Sequence, residues 1–422
     1  MYQRLLKRVR ISAWMQSSTI LVLMLSFSSN VPLVLLGSTL QAWYTVQGVN
    51  IMAIGMLTLV GQPYIFKVLW APLVDRYRLW GKHRRRAWIV FTQIALAIGF
   101  WGLSSMRPQA SPKALAFFAL ILAFISATQD LGVDAARVDL THHKNNHIIA
   151  VVTTLGERFG FLLAGAFALL IANYCGWQTM YRLMALVMAG CAIATCCFQT
   201  NAPICVAAPS SLGAAFIDPM KHLWHKAHIG WLIAFMLLYK IGDQFALALN
   251  TTFLIRGLGF SLAAIGVVYK LVSLLALLLG SVVGGFWMQR LGLYRSLWTF
   301  GVLQAAANLA YFVLAIIGKH LMGMVAAVFV EYFFCGMATV PFIAFVVGLC
   351  DSRYAAMQYA FFTAVMAIGR VYGGPEVAYL VNHLGWAHFF LLTAFMGLPA
   401  LLILSLIRQR MTLTMFDLQR GV

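Results

Sequence analysis

Twelve apolar runs, each long enough for a helix to cross a bilayer, follow one another along this chain with short polar breaks between them. They cover roughly positions 13–36, 46–66, 88–106, 114–134, 148–172, 180–199, 229–254, 263–288, 296–317, 322–349, 355–381 and 386–407. A backbone in hydrocarbon must satisfy its own hydrogen bonds, and runs of this length do so as helices. Composition agrees, with 62% apolar and only 10% charged residues. A soluble domain carries about a quarter charged residues, so a water-soluble globule is excluded. The first run, from Ala13 to Leu36, follows a basic start (Arg4, Lys7, Arg8, Arg10). It is too long for a cleaved signal and reads as the first span. The chain is therefore expected to be an all-α polytopic membrane protein whose partner is the lipid bilayer.

The net charge of +19, from 30 basic and 11 acidic residues, would suggest nucleic acid in a soluble protein. Placement removes that reading. With the N-terminus in the cytoplasm, 21 basic residues fall on the cytoplasmic side and only Arg107, Lys113, Arg256 and Lys319 fall outside. Cytoplasmic loops collect Lys and Arg, so both termini are expected in the cytoplasm and no nucleic-acid partner is expected.

The longest polar interval, 200–228, carries Pro203, Pro209 and Pro219 and divides the chain into two six-span halves, 1–199 and 229–422. An internal repeat supports the division. Asp75-Arg76, followed by Gly81-Lys82-His83-Arg84-Arg85-Arg86, corresponds to Gln289-Arg290 with Gly292 and Arg295, 214 residues later. Arg158 and Arg370, each beside glycines, lie 212 apart, against a half-chain of 211. Two matches at nearly one offset indicate a duplicated unit. Parallel six-span halves are the layout of major facilitator transporters, and the Asp-Arg-x-Gly-x-Arg-Arg pattern resembles that superfamily's loop motif. Asp75, Arg76 and Arg290 are accordingly expected to act in gating. An interfacial helix is expected near 217–226, between the halves.

Charges inside spans cost at least ~2.5 kcal/mol at mid-helix, so each is a functional candidate. Asp130 and Asp134 share a helix face, Arg137 continues it, and Glu157 adjoins Arg158 in span 5. We expect Asp130, Asp134 and Glu157 to couple protons. Lys240 and Asp243 stand one turn apart in span 7, and Arg370 lies in span 11. Three cations, Arg158, Lys240 and Arg370, suit an anionic substrate, and arginine binds carboxylates bidentately. Gln62, Gln129, Asp243, Asn250 and Glu331 complete the expected substrate-binding set.

No catalytic or ATP-binding pattern appears: G-x-S-x-G, H-E-x-x-H and Walker sequences are all missing. His142, His143 and His147 cluster without matching acids, and seven cysteines form no metal or disulfide framework. Neither enzyme activity, nor a metal, nor a cofactor is expected.

Several stretches together resemble the muropeptide permease family (AmpG type). They include Gly37-Ser-Thr-Leu-Gln-Ala-Trp43, Phe66-Lys-Val-Leu-Trp70, Pro72-Leu-Val-Asp-Arg-Tyr77 and Ser126-Ala-Thr-Gln-Asp130. The second half adds Tyr239-Lys-Ile-Gly-Asp243, Thr251-Thr-Phe-Leu-Ile-Arg-Gly257 and Gly369-Arg-Val-Tyr372. The resemblance implies a major facilitator fold in the bacterial inner membrane. It also implies proton-driven import of N-acetylglucosaminyl-1,6-anhydro-N-acetylmuramyl peptides for peptidoglycan recycling, with a link to β-lactam resistance. The substrate is then an anionic sugar-peptide, the chain is expected to act as a monomer, and Asp130 matches a position needed for transport. Glu157 departs from the family pattern, which has a neutral aromatic before the arginine. The same fold importing a siderophore or another organic anion is the alternative.

Overall fold

The computed structural model describes residues 17–71, 74, 84–141, 146–197, 220–224, 229–351 and 355–410. All regular structure among them is helical. Ten spans are separate helical stretches: α1 Thr19–Val46, α2 Ile51–Leu69, α3 Arg86–Ser104, α4 Pro112–Arg137, α5 Val151–Cys175, α6 Trp177–Cys197, α7 Ile229–Gly257, α8 Leu262–Leu291, α9 Leu293–Ile317 and α10 Leu321–Leu349. The last apolar stretch, Met357–Leu406, is 50 residues long. One straight helix of that length would span about 75 Å, against a hydrocarbon core of about 30 Å. Gly385, at φ 74° and ψ 168°, breaks it. A side chain at such a φ is strained, so glycine makes the break cheap. The stretch is thus α11 (357–384) and α12 (386–406), and twelve crossings result, as the apolar pattern predicts.

The chain forms two compact units, Met1–Leu40 with Phe66–Ala208, and Gln41–Ile65 with Pro209–Val422. Of the central segment, residues 220–224 are helical, with Leu223 in the core of the second unit. The rest of the expected interfacial helix lies outside the described residues.

Lipid is as apolar as leucine, so helices in a membrane associate by close packing and hydrogen bonds rather than by hydrophobic burial. The first unit shows both devices. A Cβ at Gly156 would lie 2.5 Å from the Leu23 carbonyl oxygen, and one at Gly160 would lie 2.8 Å from that of Phe27. These two positions on one face of α5 let its backbone approach that of α1. Beside them, Ser28 accepts from Gln93 Nε2 at 3.0 Å and from Gln129 Nε2 at 3.1 Å, tying α1, α3 and α4.

In the second unit Gly280 and Gly284 of α8 meet Phe333 and Met337 of α10, and Gly336 of α10 meets Leu277. An aromatic layer fills the space between α7 and α10. Phe235 packs edge-on to Phe345 with ring centroids 5.2 Å apart, and Tyr239 stacks on Phe342 at 5.1 Å. Outward-facing positions stay apolar, such as Ile98 and Val282, at 69% and 72% exposure. That exterior suits acyl chains and not water.

Candidate functional site

Each unit carries one cluster of charged side chains within its spans. In the first, α4 presents Asp130 and Asp134 one turn apart, and Lys67, near the end of α2, reaches both. Lys67 Nζ makes a very short contact with Asp130 Oδ2 and lies 3.3 Å from Asp134 Oδ2. Ser29 Oγ of α1 donates to Asp130 Oδ1 at 2.7 Å. Arg137 continues the chain, 3.1 Å from Asp134 Oδ1 and 3.4 Å from Glu157 Oε1 of α5. The order is carboxylate, ammonium, carboxylate, guanidinium, carboxylate, across three helices. Such a relay holds two cations against three acids, so the set has one more acid than it can neutralise.

The sequence counted Lys67 among the cytoplasmic loop charges, which the structure corrects. It stands within α2 and is the hub of the cluster. A lysine at a span end carries no sequence signal that separates an anchor from an ion-pair partner.

Arg158 neighbours Glu157 in sequence, yet among the described residues it makes no ion pair, and its buried Nε has no hydrogen-bond partner. Successive residues on a helix point about 100° apart, so the acid turns to Arg137 and the arginine does not share it. In the second unit Arg370, which the sequence offset matches to Arg158, is exposed on α11 and likewise makes no ion pair among the described residues. Gln62 is half-buried on α2.

The second cluster is drier. Lys240 Nζ lies 3.5 Å from Asp243 Oδ2 and donates to Thr339 Oγ1 at 3.0 Å. Gln304 Nε2 of α9 bridges Asp243 Oδ1 at 2.7 Å and Glu331 Oε1 at 3.1 Å. Glu331 is fully buried. Asn250 is also fully buried and donates to Tyr311 Oη at 2.7 Å. Gln129 is sealed against Ser28 as described above. Of the expected substrate-binding residues, then, Arg158, Arg370 and Gln62 are partly or fully exposed, and Gln129, Asn250 and Glu331 are enclosed in this structure. Gln304 was missed because a neutral amide in an apolar run looks like helix packing.

Of the expected gating residues, Asp75 and Arg76 lie outside the described residues. Arg290 places its guanidinium 4.6 Å from the Phe286 ring centroid, one turn back on α8. His142 and His143 also lie outside the described residues, as does the side chain of His147.

A further polar lock joins the hairpin 41–65 to α7 within the second unit. Gly48, at φ +76°, ends α1, with Val49 N bonded to Tyr44 O and Gly48 N to Thr45 O, a Schellman closure. Arg256 then donates from Nε to Thr45 O at 2.9 Å, from Nη1 to Val49 O at 2.6 Å and from Nη2 to Tyr44 O at 3.3 Å. A guanidinium suits the end of a helix, where carbonyls lack partners and the dipole is negative. Thr45 and Thr252 hydroxyls meet at 3.0 Å, and Gln41 Nε2 donates to Ala248 O at 2.8 Å. On the other arm, Thr58 Oγ1 donates to Val371 O at 2.7 Å, and Gly55 and Gly374 approach backbone to backbone. Arg256→Gln is expected to loosen this lock. In a Thr45→Cys background it should raise the rate of labelling by a membrane-impermeant maleimide, and an unchanged rate would refute the assignment.

Comparison with known proteins follows the same lines. Residues 16–374 match the model of the Major Facilitator Superfamily. The anhydromuropeptide permease of Escherichia coli (strain K12) is 40% identical over 400 residues, covering 94% of this chain and 81% of the relative. An AmpG-named transporter of Rickettsia conorii is 29% identical over 401 residues, covering 91% of this chain and 94% of the relative. Among solved structures, a nucleoside transporter superposes with a TM-score of 0.70 at 14% identity, over 93% of this chain and all of the other. A POT family transporter in complex with a thioalcohol-conjugated peptide gives 0.71 at 13% identity, over 94% and 96%. At such low identity these two structures speak for the fold alone.

Proposed function

The chain belongs to the major facilitator superfamily and, within it, to the AmpG-type muropeptide permeases, and from that membership we propose that it imports anhydromuropeptides with protons by alternating access. It is a multi-pass membrane transporter and not an enzyme. The inner membrane is its location in this reading, both termini are cytoplasmic, and it works as a monomer. Membership supplies the transport class, while the cargo rests on chemistry in this chain.

The observation that carries the cargo is the pair of repeat-related arginines. Arg158 and Arg370 each sit within an apolar span, and neither has an ion pair among the described residues. An arginine at membrane depth is costly unless paired, and an anionic ligand supplies the missing partner. A muropeptide offers peptide carboxylates for bidentate contact, and sugar hydroxyls for groups such as Gln62. Lys240 is a movable point charge already engaged with Asp243, and it assists rather than leads. Asp130 and Asp134, with Lys67, Arg137 and Glu157 around them, take and release the coupled proton in this reading.

Arg158→Gln should weaken binding of a labelled anhydromuropeptide by about 2 kcal/mol, roughly thirtyfold. Arg158→Lys should lose less, since it keeps the charge but not the planar fork. Arg370→Gln should behave alike. Proteoliposome uptake under an inward acid gradient, with ferric siderophore as competitor, is the measurement. Unaltered affinity in both glutamine variants, or displacement by the siderophore and not by unlabelled muropeptide, would overturn the cargo assignment.

A further inference from the structure

The cluster around Glu331 has a charge problem that the transport reading above does not use. Glu331 of α10 is fully buried, and Asp243 of α7 is 7% exposed. The two carboxyl groups share one amide donor, which holds them side by side between α7, α9 and α10. Gln304 Nε2 donates to one oxygen of each. The amide of Asn308, turned to its hydrogen-bonding orientation, donates to Glu331 Oε2 at 3.1 Å and Oε1 at 3.2 Å. Cys335 Sγ, one turn further along α10, donates to Asp243 Oδ2 at 3.4 Å.

Cations are scarcer than acids there. Lys240 faces both carboxyls and contacts Asp243. Lys270 of α8 sits instead against the Tyr269 ring, 5.2 Å from its centroid. The remaining titratable groups near Glu331 are the phenols of Tyr269 on α8 and Tyr311 on α9, which are neutral at ordinary pH. With both carboxyls ionised, two negative charges would share one ammonium in a dry interior. The effective penalty for an uncompensated buried charge is several kcal/mol. Gln304 is 6% exposed, and its Nε2 is the group that enters the cluster.

We propose that Asp243 and Glu331 form a second proton-binding site, an acid pair that holds one proton with Lys240 as its counter-ion. One carboxyl holds the proton, and the pair carries a single negative charge that the ammonium balances. Gln304 clamps the pair by donating to both acids. Loss of the proton leaves two like charges side by side across α7 and α10. That repulsion favours separation of the acids, or entry of another cation between them. The acids that the sequence assigned to substrate thereby serve the driving ion. The chain would then hold carboxyl clusters in both halves of its sequence, and the second would take a proton without exposure of Asp130.

The primary test does not depend on the cargo. Infrared spectra of the purified protein in lipid at pH 7 should show a carbonyl-stretch component of a protonated carboxylic acid. Glu331→Gln and Asp243→Asn should each remove that component, whereas Glu331→Asp should shift it and keep it. Retention of the component in both Glu331→Gln and Asp243→Asn would overturn the proposal. Circular dichroism on the same samples separates loss of the acid from loss of the fold. The functional consequence rests on the transport reading. Wild-type uptake of labelled anhydromuropeptide should rise with an inward acid gradient, and Glu331→Gln should lose that rise. Gradient-stimulated uptake in Glu331→Gln equal to wild type would count against the site. No uptake by wild type would overturn the cargo reading, and the infrared result would still decide the acid pair.

Discussion

Lys67→Met is expected to abolish gradient-driven uptake, and Asp130→Asn to do the same for a different reason. Lys67 is the one cation that reaches both Asp130 and Asp134 in the described cluster. Its removal leaves three acids with Arg137 alone, and Arg137 is already engaged with Asp134 and Glu157. Breaking a fully buried pair by removing one partner costs about 3–5 kcal/mol. Lys67 and Asp130 retain 22% and 25% side-chain exposure, so a smaller penalty of about 2 kcal/mol is appropriate. Lys67→Met should therefore also lower the thermal midpoint. Asp130→Asn removes the acid and leaves Lys67 paired to Asp134, so its stability should stay close to wild type while gradient stimulation is lost. The double variant Lys67→Met/Asp130→Asn sorts structure from coupling. It should recover much of the stability lost in Lys67→Met and none of the uptake. Uphill accumulation by Asp130→Asn at the wild-type level would end the coupling role of this residue.

Gly280→Ala is expected to prevent accumulation of folded protein. The added Cβ would lie 1.9 Å from the Phe333 carbonyl oxygen, 2.7 Å from its carbonyl carbon and 3.0 Å from its Cα. These are backbone atoms, so no rotamer change relieves the clash. The two helices would have to part by more than an ångström, and Gly284 against Met337 and Gly336 against Leu277 would lose contact with them. Overpacking usually costs about 1–3 kcal/mol. Here the damage extends along a whole helix crossing held by close approach, so about 3 kcal/mol or more is expected. The control is a neighbour. Gly285 has nothing within 4 Å of its would-be Cβ, so Gly285→Ala should express and melt like wild type. Size-exclusion profiles and melting curves of the detergent-solubilised variants make the comparison. Equal behaviour of Gly280→Ala and Gly285→Ala would refute the packing argument.

How far the site was legible follows from how local its parts are. Asp134 with Arg137, and Lys240 with Asp243, are three residues apart on helices, and helical geometry brings such pairs together whatever surrounds them. Both meet as their spacing indicates. Lys67 and Asp130 are separated by 63 positions, and nothing in either segment announces the other. Glu157 and Arg158 are adjacent and yet diverge, because adjacent residues face different sides of a helix. The bridging amide of Gln304 carries no charge to mark it. The Arg256 lock was read as a loop charge, since its partners are backbone carbonyls, which every residue has and no sequence distinguishes.

The sequence by itself determined the membrane setting, the number of crossings and the family. Each of these depends on apolar run length, on charge counted between runs, or on motifs contiguous in the chain. Even the break between α11 and α12 was readable, since polar and glycine residues interrupt the apolar run near Gly385. Tertiary structure alone decided which charges are neutralised. It paired Lys67 with two aspartates and gave Glu157 to Arg137. It left Arg158 and Arg370 without an ion pair among the described residues, and it enclosed Glu331 beside Asp243. The physical reason is range. Hydrophobic patterning acts along a segment and survives without knowledge of its neighbours. The cost of a buried charge depends on which group stands a few ångströms away, and in this protein that group usually comes from another helix.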